Sequence, residues 1–280
     1  MIKLVTDSTC DLSSELLAQY DISVVPLYVN FNEESYLDGV NIKVNEMYDM
    51  VKEKGMLPKT AAASPGAFYE VFEPFVKENI PIIYLGIGSK FSGTLNSALN
   101  AKNMLESDLI HLIDSENLSS GSGLLLLKAG EAIKAGKNVE EVVALIQTLI
   151  PKVRSQFVID TLDYLHKGGR INGLQNLMGS MLKLKPIIKV VDGEMAVGKK
   201  ARGTLKNGVK LLIKDLLEKK DLVDDEFLMI THSMSSDMAS YINQEVRENI
   251  EFKHIYETSA GCVISSHCGK GTIGILYIMK

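Results

Sequence analysis

Long uninterrupted apolar runs are missing from this chain. The longest candidate, GLLLLKAG at 123–130, is broken by Lys128, well short of the ~20 residues that cross a bilayer. Any membrane contact is therefore expected to be peripheral and transient. Cysteine is scarce too. Cys10, Cys262 and Cys268 offer neither metal-ligand spacing nor an even-numbered disulfide set. The opening MIKLVTDSTC has a strand pattern and not that of a signal peptide, so the expectation is a reduced, cytoplasmic protein. No basic tract stands out. Net charge is −5, and the densest basic stretch, GKKARGTLKNGVK at 198–210, is interrupted by Gly and Thr. That balance argues against a nucleic-acid-binding surface.

Catalytic signatures are equally thin. No P-loop occurs, and GIGSKFSG at 86–93 spaces its glycines wrongly for a dinucleotide fingerprint. No G-x-S-x-G elbow is present. The five histidines, at 111, 166, 232, 254 and 267, form no H-x-x-x-H pair, so no metal site is expected. Internal repeats and low-complexity segments are absent.

What is present is an ordinary globular composition over 280 residues, 46% hydrophobic and 23% charged. Apolar strand runs alternate with helical stripes through the first half: strands at 2–9, 23–31, 81–87 and 108–114, helices at 12–20, 44–54, 64–79, 94–105 and 119–135. That alternation predicts βαβ units and a mostly parallel sheet with flanking helices. VEEVVALIQTLIPKV at 139–153 carries one helical stripe through Val142, Ile146, Leu149 and Val153. The pattern then changes. A strand at 155–160 precedes a hairpin over 185–202 turning at Asp192-Gly193. A helix over 204–220, strands at 226–232, 252–258 and 272–279 and a helix near 235–249 follow. The fold class expected is α/β in two lobes: residues 1–153, and a mixed-sheet lobe over 154–280.

Four loops could carry chemistry. GSKFSGTL at 88–95 stands where strand becomes helix. A helix start leaves four backbone N–H groups free and carries partial positive charge. Gly93 lets a ligand approach, and Ser92 and Thr94 add hydroxyls, which suits a phosphate or a carboxylate. The plainer reading is Ser92 as a helix cap. SSHCGKGTIG at 265–274 places His267 beside Gly269 and Gly271, where a bent backbone and an imidazole could meet an anion, or form a surface turn. HKGGRINGL at 166–174 sets Arg170 behind two glycines, or ends a helix at Gly168. In VTDSTCDLS at 5–13, Asp7 repels anions, so a turn-ordering role for Asp7 and a cap at Ser13 are expected. Ser92 and His267 could also meet as a nucleophile and its base.

Taken in order, these segments resemble the DegV family. The matching landmarks are VTDST at 5–9, PL at 26–27, SPG at 64–66, FSGTLNSA at 91–98, LHKGGRI at 165–171, GSMLKLKPII at 179–188 and GCVISSHCGKGTIG at 261–274. The resemblance implies two α/β lobes with a long-chain fatty acid such as palmitate or oleate between them. It implies no cofactor and no catalytic group. The implied role is that of the lipid-binding subunit of a bacterial fatty acid kinase, presenting the carboxylate to an ATP-dependent partner for acyl-phosphate formation and phospholipid synthesis. Carried over, the carboxylate-binding residues fall on Ser92 and Gly93, on His267, and on Thr60 with the backbone of Ala61; Arg170 is expected near the mouth. The family's T-S-Q-P loop departs here, reading Thr60-Ala61-Ala62-Ala63. Wall residues expected for an apolar tunnel are Phe91, Leu95, Met178, Leu182 and Ile264. The competing readings are an acyl hydrolase or transferase using Ser92 and His267, and a regulatory module holding lipid as a bound cofactor.

Overall fold

The structure, a computed structural model, describes residues 1–175 and 184–280. The first half contributes strands Lys3–Asp7 (β1), Ile22–Val25 (β2), Tyr28–Phe31 (β3), Glu34–Leu37 (β4), Lys59–Ala61 (β5), Ile82–Leu85 (β6) and Ile110–Ile113 (β7). Its helices are Ser14–Gln19 (α1), Val44–Lys54 (α2), Pro65–Lys77 (α3), Thr94–Leu105 (α4), Ser120–Lys134 (α5) and Val139–Leu149 (α6). The second half contributes strands Val153–Val158 (β8), Leu184–Val191 (β9), Glu194–Arg202 (β10), Val223–His232 (β11), His254–Ser259 (β12) and Ile273–Met279 (β13). Helices Asp163–Lys167 (α7), Leu205–Leu217 (α8), Ser236–Arg247 (α9) and Cys262–Cys268 (α10) complete it.

Three sheets result. An all-parallel sheet runs β2-β1-β6-β7, and a mixed six-stranded sheet runs β10-β9-β8-β13-β11-β12. Both follow from the sequence pattern. The third, antiparallel β4-β3-β5, does not: the run at 23–31 was expected to be one strand. Pro26 divides it, since proline has no N–H for a ladder. Ile22–Val25 pairs with β1, and Tyr28–Phe31 leaves to pair with β4 and β5. The break is sealed by Ser8, whose Oγ accepts from Leu27 N at 3.1 Å. A second difference is Val153, expected on a helical stripe. The helix stops at Leu149, a 3-10 turn with Pro151 intervenes, and Val153 begins β8. The hairpin turns at Asp192-Gly193, both with positive φ (50° and 76°), as a tight two-residue turn demands.

Helix α5 explains the apolar LLLL run. Leu124 to Leu127 are all fully buried, in one cluster with Leu4, Ile83 and Leu85 of the parallel sheet and Phe227, Met229 and Leu276 of the mixed sheet. A helix buried on all sides need not be amphipathic. Lys128, its one charge there, pairs with Asp224 and Glu226 of β11. Among the described residues no helix is long and apolar enough to cross a membrane. The three cysteines are buried and unpaired; burial pushes the thiols of Cys10 and Cys268 up to about 12.

Candidate functional site

Strands β1 and β6 are neighbours in the parallel sheet, and the chain leaves them toward opposite edges, to β2 and to β7. Such a switch point opens a crevice beyond the carboxyl ends of the strands, where α/β sheets place their ligands. The loop after β6 carries Ile87, Phe91 and Ser92 into that crevice, and the loop after β7 carries Leu118. From the other half, β8 brings Phe157, α7 brings Leu165, and α10 brings Ile264 and His267. The three-stranded sheet closes the remaining side with Thr60 and Ala61. The cavity so formed encloses about 650 Å³ of space free of atoms, open solvent at its mouth included.

The wall is largely apolar, and its polar side chains are Thr60, Ser92, Arg170 and His267. Thr60 Oγ1 and His267 Nε2 are 2.8 Å apart. Ser92 Oγ lies 2.8 Å from Thr94 Oγ1 and accepts from Thr94 N at 3.3 Å. Ser92 thus stands just outside the N-cap, Gly93, where it accepts from the first backbone N–H of α4, and it also borders the cavity. Arg170 donates through Nη1 to the Gly168 carbonyl at 2.9 Å and through Nε to the Phe91 carbonyl at 3.4 Å. It borders both the cavity and an outer groove with Lys90 and Glu194.

His267 stands in the last turn of α10, not in the glycine bend its sequence position suggests. Its Nδ1 is buried without a hydrogen-bond partner among the described residues. The ring lies so close to Gly168 that a Cβ there would meet Nδ1 at 2.3 Å; glycine at 168 makes room for the imidazole. Burial, and then the Arg170 guanidinium, lower the His267 pKa to about 4, so the ring is neutral at physiological pH.

The structure therefore brings Thr60, Ala61, Ser92, Arg170 and His267 to one cavity, with Phe91 and Ile264 on its wall. Gly93 caps α4 with an open surface around it and does not border the cavity. Leu95 packs into the core against the parallel sheet instead of lining the wall. Met178 and Leu182 lie outside the described residues. Leu27, Leu118, Phe157 and Met195 line the cavity without having been singled out; the PL landmark at 26–27 is the one signal that touched them. Asp7 has the structural role expected of it. Its Oδ1 takes Thr9 N at 3.0 Å, and its Oδ2 takes Tyr84 Oη and Ile87 N, each at 2.9 Å. Ser13 caps α1 by accepting from Leu16 N.

A second, small cavity of about 40 Å³ shares Leu118, Phe157, Ile264 and Cys268 with the first and reaches Ala260 and Leu276. The two lie side by side, separated by these shared side chains, with the second against the mixed sheet. No cluster able to hold a metal ion occurs among the described residues.

Fold and cavity define a class: an α/β protein with a largely apolar cavity, carrying a few polar side chains, at the meeting of two large sheets. The model of a protein family described as "Uncharacterised protein, DegV family" matches residues 1–280, and the chain belongs to the DegV family. A DegV domain-containing protein of Caldanaerobacter subterraneus subsp. tengcongensis is 37% identical over 281 residues, covering 100% of this chain and 99% of that one. Among solved structures, a DegV family protein from Thermus thermophilus, described by its fatty acid binding, superposes with a TM-score of 0.93 at 31% identity, covering 100% of this chain and 99% of that one. A stearic-acid-binding protein from Eubacterium ventriosum gives 0.87 at 29% identity, with 100% and 99% covered.

Proposed function

We propose that this chain binds one long-chain fatty acid, with its carboxylate at Thr60, Ser92 and His267 and its tail along the apolar path past Phe157 and Ile264. The observation that carries the reading is a largely apolar cavity, with a second apolar cavity beside it, whose wall holds the Thr60–His267 hydroxyl-imidazole pair. The solved relatives described as fatty-acid binders support the ligand class. Each methylene leaving water contributes about 0.8 kcal/mol, so a palmitate-length tail offers roughly 11 kcal/mol before ordering costs. A helix start offers an anion only ~0.3–2 kcal/mol. Affinity then resides in the tail, and the polar end sets orientation and spares the carboxylate an unpaired burial.

The head-group chemistry follows from neutral groups. With its proton on Nε2, the imidazole donates to Thr60 Oγ1, and the Thr60 hydroxyl is left to donate to a carboxylate oxygen. Ser92 supplies a second hydroxyl, and the Ala61 backbone N–H stands beside Thr60. Arg170 adds positive charge from the mouth side without entering the Thr60–His267 pair.

The finer reading is a substrate-presenting role in the cytoplasm, offering the carboxylate to an ATP-dependent fatty acid kinase. A catalytic reading is less well supported. The Ser92 hydroxyl is engaged with Thr94, His267 is engaged with Thr60, and no carboxylate among the described residues bonds the imidazole, whereas a serine nucleophile needs an adjacent, oriented base. The test is direct. Solvent extraction of the purified protein and mass spectrometry should release a fatty acid, and calorimetry with palmitate should give saturable binding. Ser92→Ala should weaken palmitate binding by about tenfold or less, the net worth of one ordinary hydrogen bond, and abolish most acyl-phosphate formation with a partner kinase. Absence of saturable binding in the wild type, or a covalent acyl-Ser92 adduct from p-nitrophenyl esters, would reject this assignment.

A further inference from the structure

We propose that Asp38 is a positioning residue for the head-group site, through which the three-stranded sheet holds helix α10 and fixes the place of His267. The inference rests on the fatty-acid reading and adds to it a residue that never touches the ligand.

The geometry is that of a helix gripped at both ends by one small sheet. Asp38 directly follows β4, and its N donates to the Leu27 carbonyl at 2.9 Å. Its carboxylate reaches the amino end of α10: Oδ1 accepts from Cys262 N at 2.7 Å and Oδ2 from Val263 N at 3.3 Å. Ser8 Oγ donates to Oδ2 at 3.0 Å and holds the carboxylate in this orientation. At the other end of the same helix His267 meets Thr60, which lies on β5. Strand β3 pairs with both partners at one residue, Val29 facing Tyr36 of β4 and Thr60 of β5. The two grips therefore sit on one hydrogen-bonded frame.

Helix α10 needs such a frame. It has seven residues, too few to keep a helix in water without tertiary partners. It arrives from the far end of the chain, and its own sequence offers no side-chain cap. A carboxylate at a helix start satisfies orphan N–H groups and opposes the helix dipole favourably. Asp11 adds a second acceptor, taking Gly261 N at 2.7 Å while Ser119 Oγ donates to its other oxygen. Fit is close: a Cβ at Gly261 would stand 3.1 Å from Asp38 Oδ2. Asp38 is itself buried and absent from the cavity wall, so its influence on a ligand runs through the helix.

The experiment compares palmitate with hexadecanol, which share a tail and differ in the head group. Asp38→Asn keeps the shape but sets an NH2 group against backbone N–H donors. The palmitate-to-hexadecanol affinity ratio is expected to fall about tenfold, the scale of one charge-assisted hydrogen bond lost or misdirected. In a His267→Ala background the same substitution should leave the ratio unchanged, because there is no imidazole left to place. An unchanged ratio in Asp38→Asn, or an equal fall in both backgrounds, overturns the proposal. Should Asp38→Asn not fold, Ser8→Ala carries the test: it removes the hydroxyl that orients Oδ2 and should lower the ratio more mildly, again only when His267 is present. Wild-type protein that does not prefer palmitate to hexadecanol rejects the fatty-acid reading itself, and that result is separate from any behaviour of Asp38.

Discussion

His267 has two ring nitrogens with different fates, one bonded to Thr60 and one buried against Gly168 without a partner among the described residues. Neither nitrogen bonds a carboxylate among the described residues, and the charge that acts on the ring is the Arg170 cation. The imidazole therefore resists protonation down to about pH 4. The sign of the linkage follows. An unfolded imidazole takes its proton near 6.5, so between about 6.5 and about 4 the unfolded chain binds more protons than the folded one. This residue then makes folding stability fall as pH drops through that window, and it contributes nothing above it. A bound carboxylate favours the imidazolium, so ligand binding should raise the His267 midpoint and draw a proton from solution. Nuclear magnetic resonance of the His267 ring protons checks both statements. A midpoint near 6.5 in the free protein would mean a solvated ring and a head-group site far more open than the geometry shows.

At the scale of elements, α10 does two things at once. Its last turn carries His267 to the polar end, and Ile264, one turn earlier, stands where the first cavity meets the second. A bulkier side chain at 264 should close the path without touching the head group. Ile264→Trp is expected to lower palmitate affinity by more than tenfold, since several methylenes at about 0.8 kcal/mol each lose their place, while octanoate binding changes little. Equal losses for both acids would show that the tail does not pass this point. The same helix shows what could be read in advance. Long elements with a clear period, such as α3, α6, α8 and the β9–β10 hairpin, follow from apolar spacing and from Asp192-Gly193. CVISSHC has no helical stripe, because α10 buries nearly every residue but Ile264 and His267, and it passes for a loop before Gly269. Strand β5 is three residues, KTA, and exists only through its pairing with β3. Thr60, Ser92, Arg170 and His267 were legible as a set through the order of the family's landmarks. Phe157 and Leu118 were not, because an apolar cavity wall and a packed core draw on the same residue types.

The whole molecule is organised around α5, which is shared by both large sheets. Its first turns pass so close to the second half that a Cβ at Gly121 would stand 2.3 Å from Ser155 Oγ and 2.1 Å from Asn117 Oδ1. Ser120 Oγ meets Thr231 Oγ1 of β11, and Ser155 Oγ donates to Asn117 Oδ1 at 2.6 Å. These hydroxyl and amide contacts tie the loop after β7 to β8 and the start of α5 to β11, beside the second cavity. A cavity between two sheets keeps its shape only if the sheets keep their distance, and α5 is the spacer that sets it. The two halves should therefore unfold together. Leu126→Ala, which leaves a hole in the shared cluster, is expected to cost about 2–5 kcal/mol and to lower amide-exchange protection in β6 and β13 by the same amount. Palmitate should restore protection in both strands to the same degree, because a ligand that binds only the folded state stabilises every element that unfolds with it. Loss of protection in β6 alone, with β13 unchanged, would make the parallel sheet a separate folding unit and leave the cavity spanning a joint free to open.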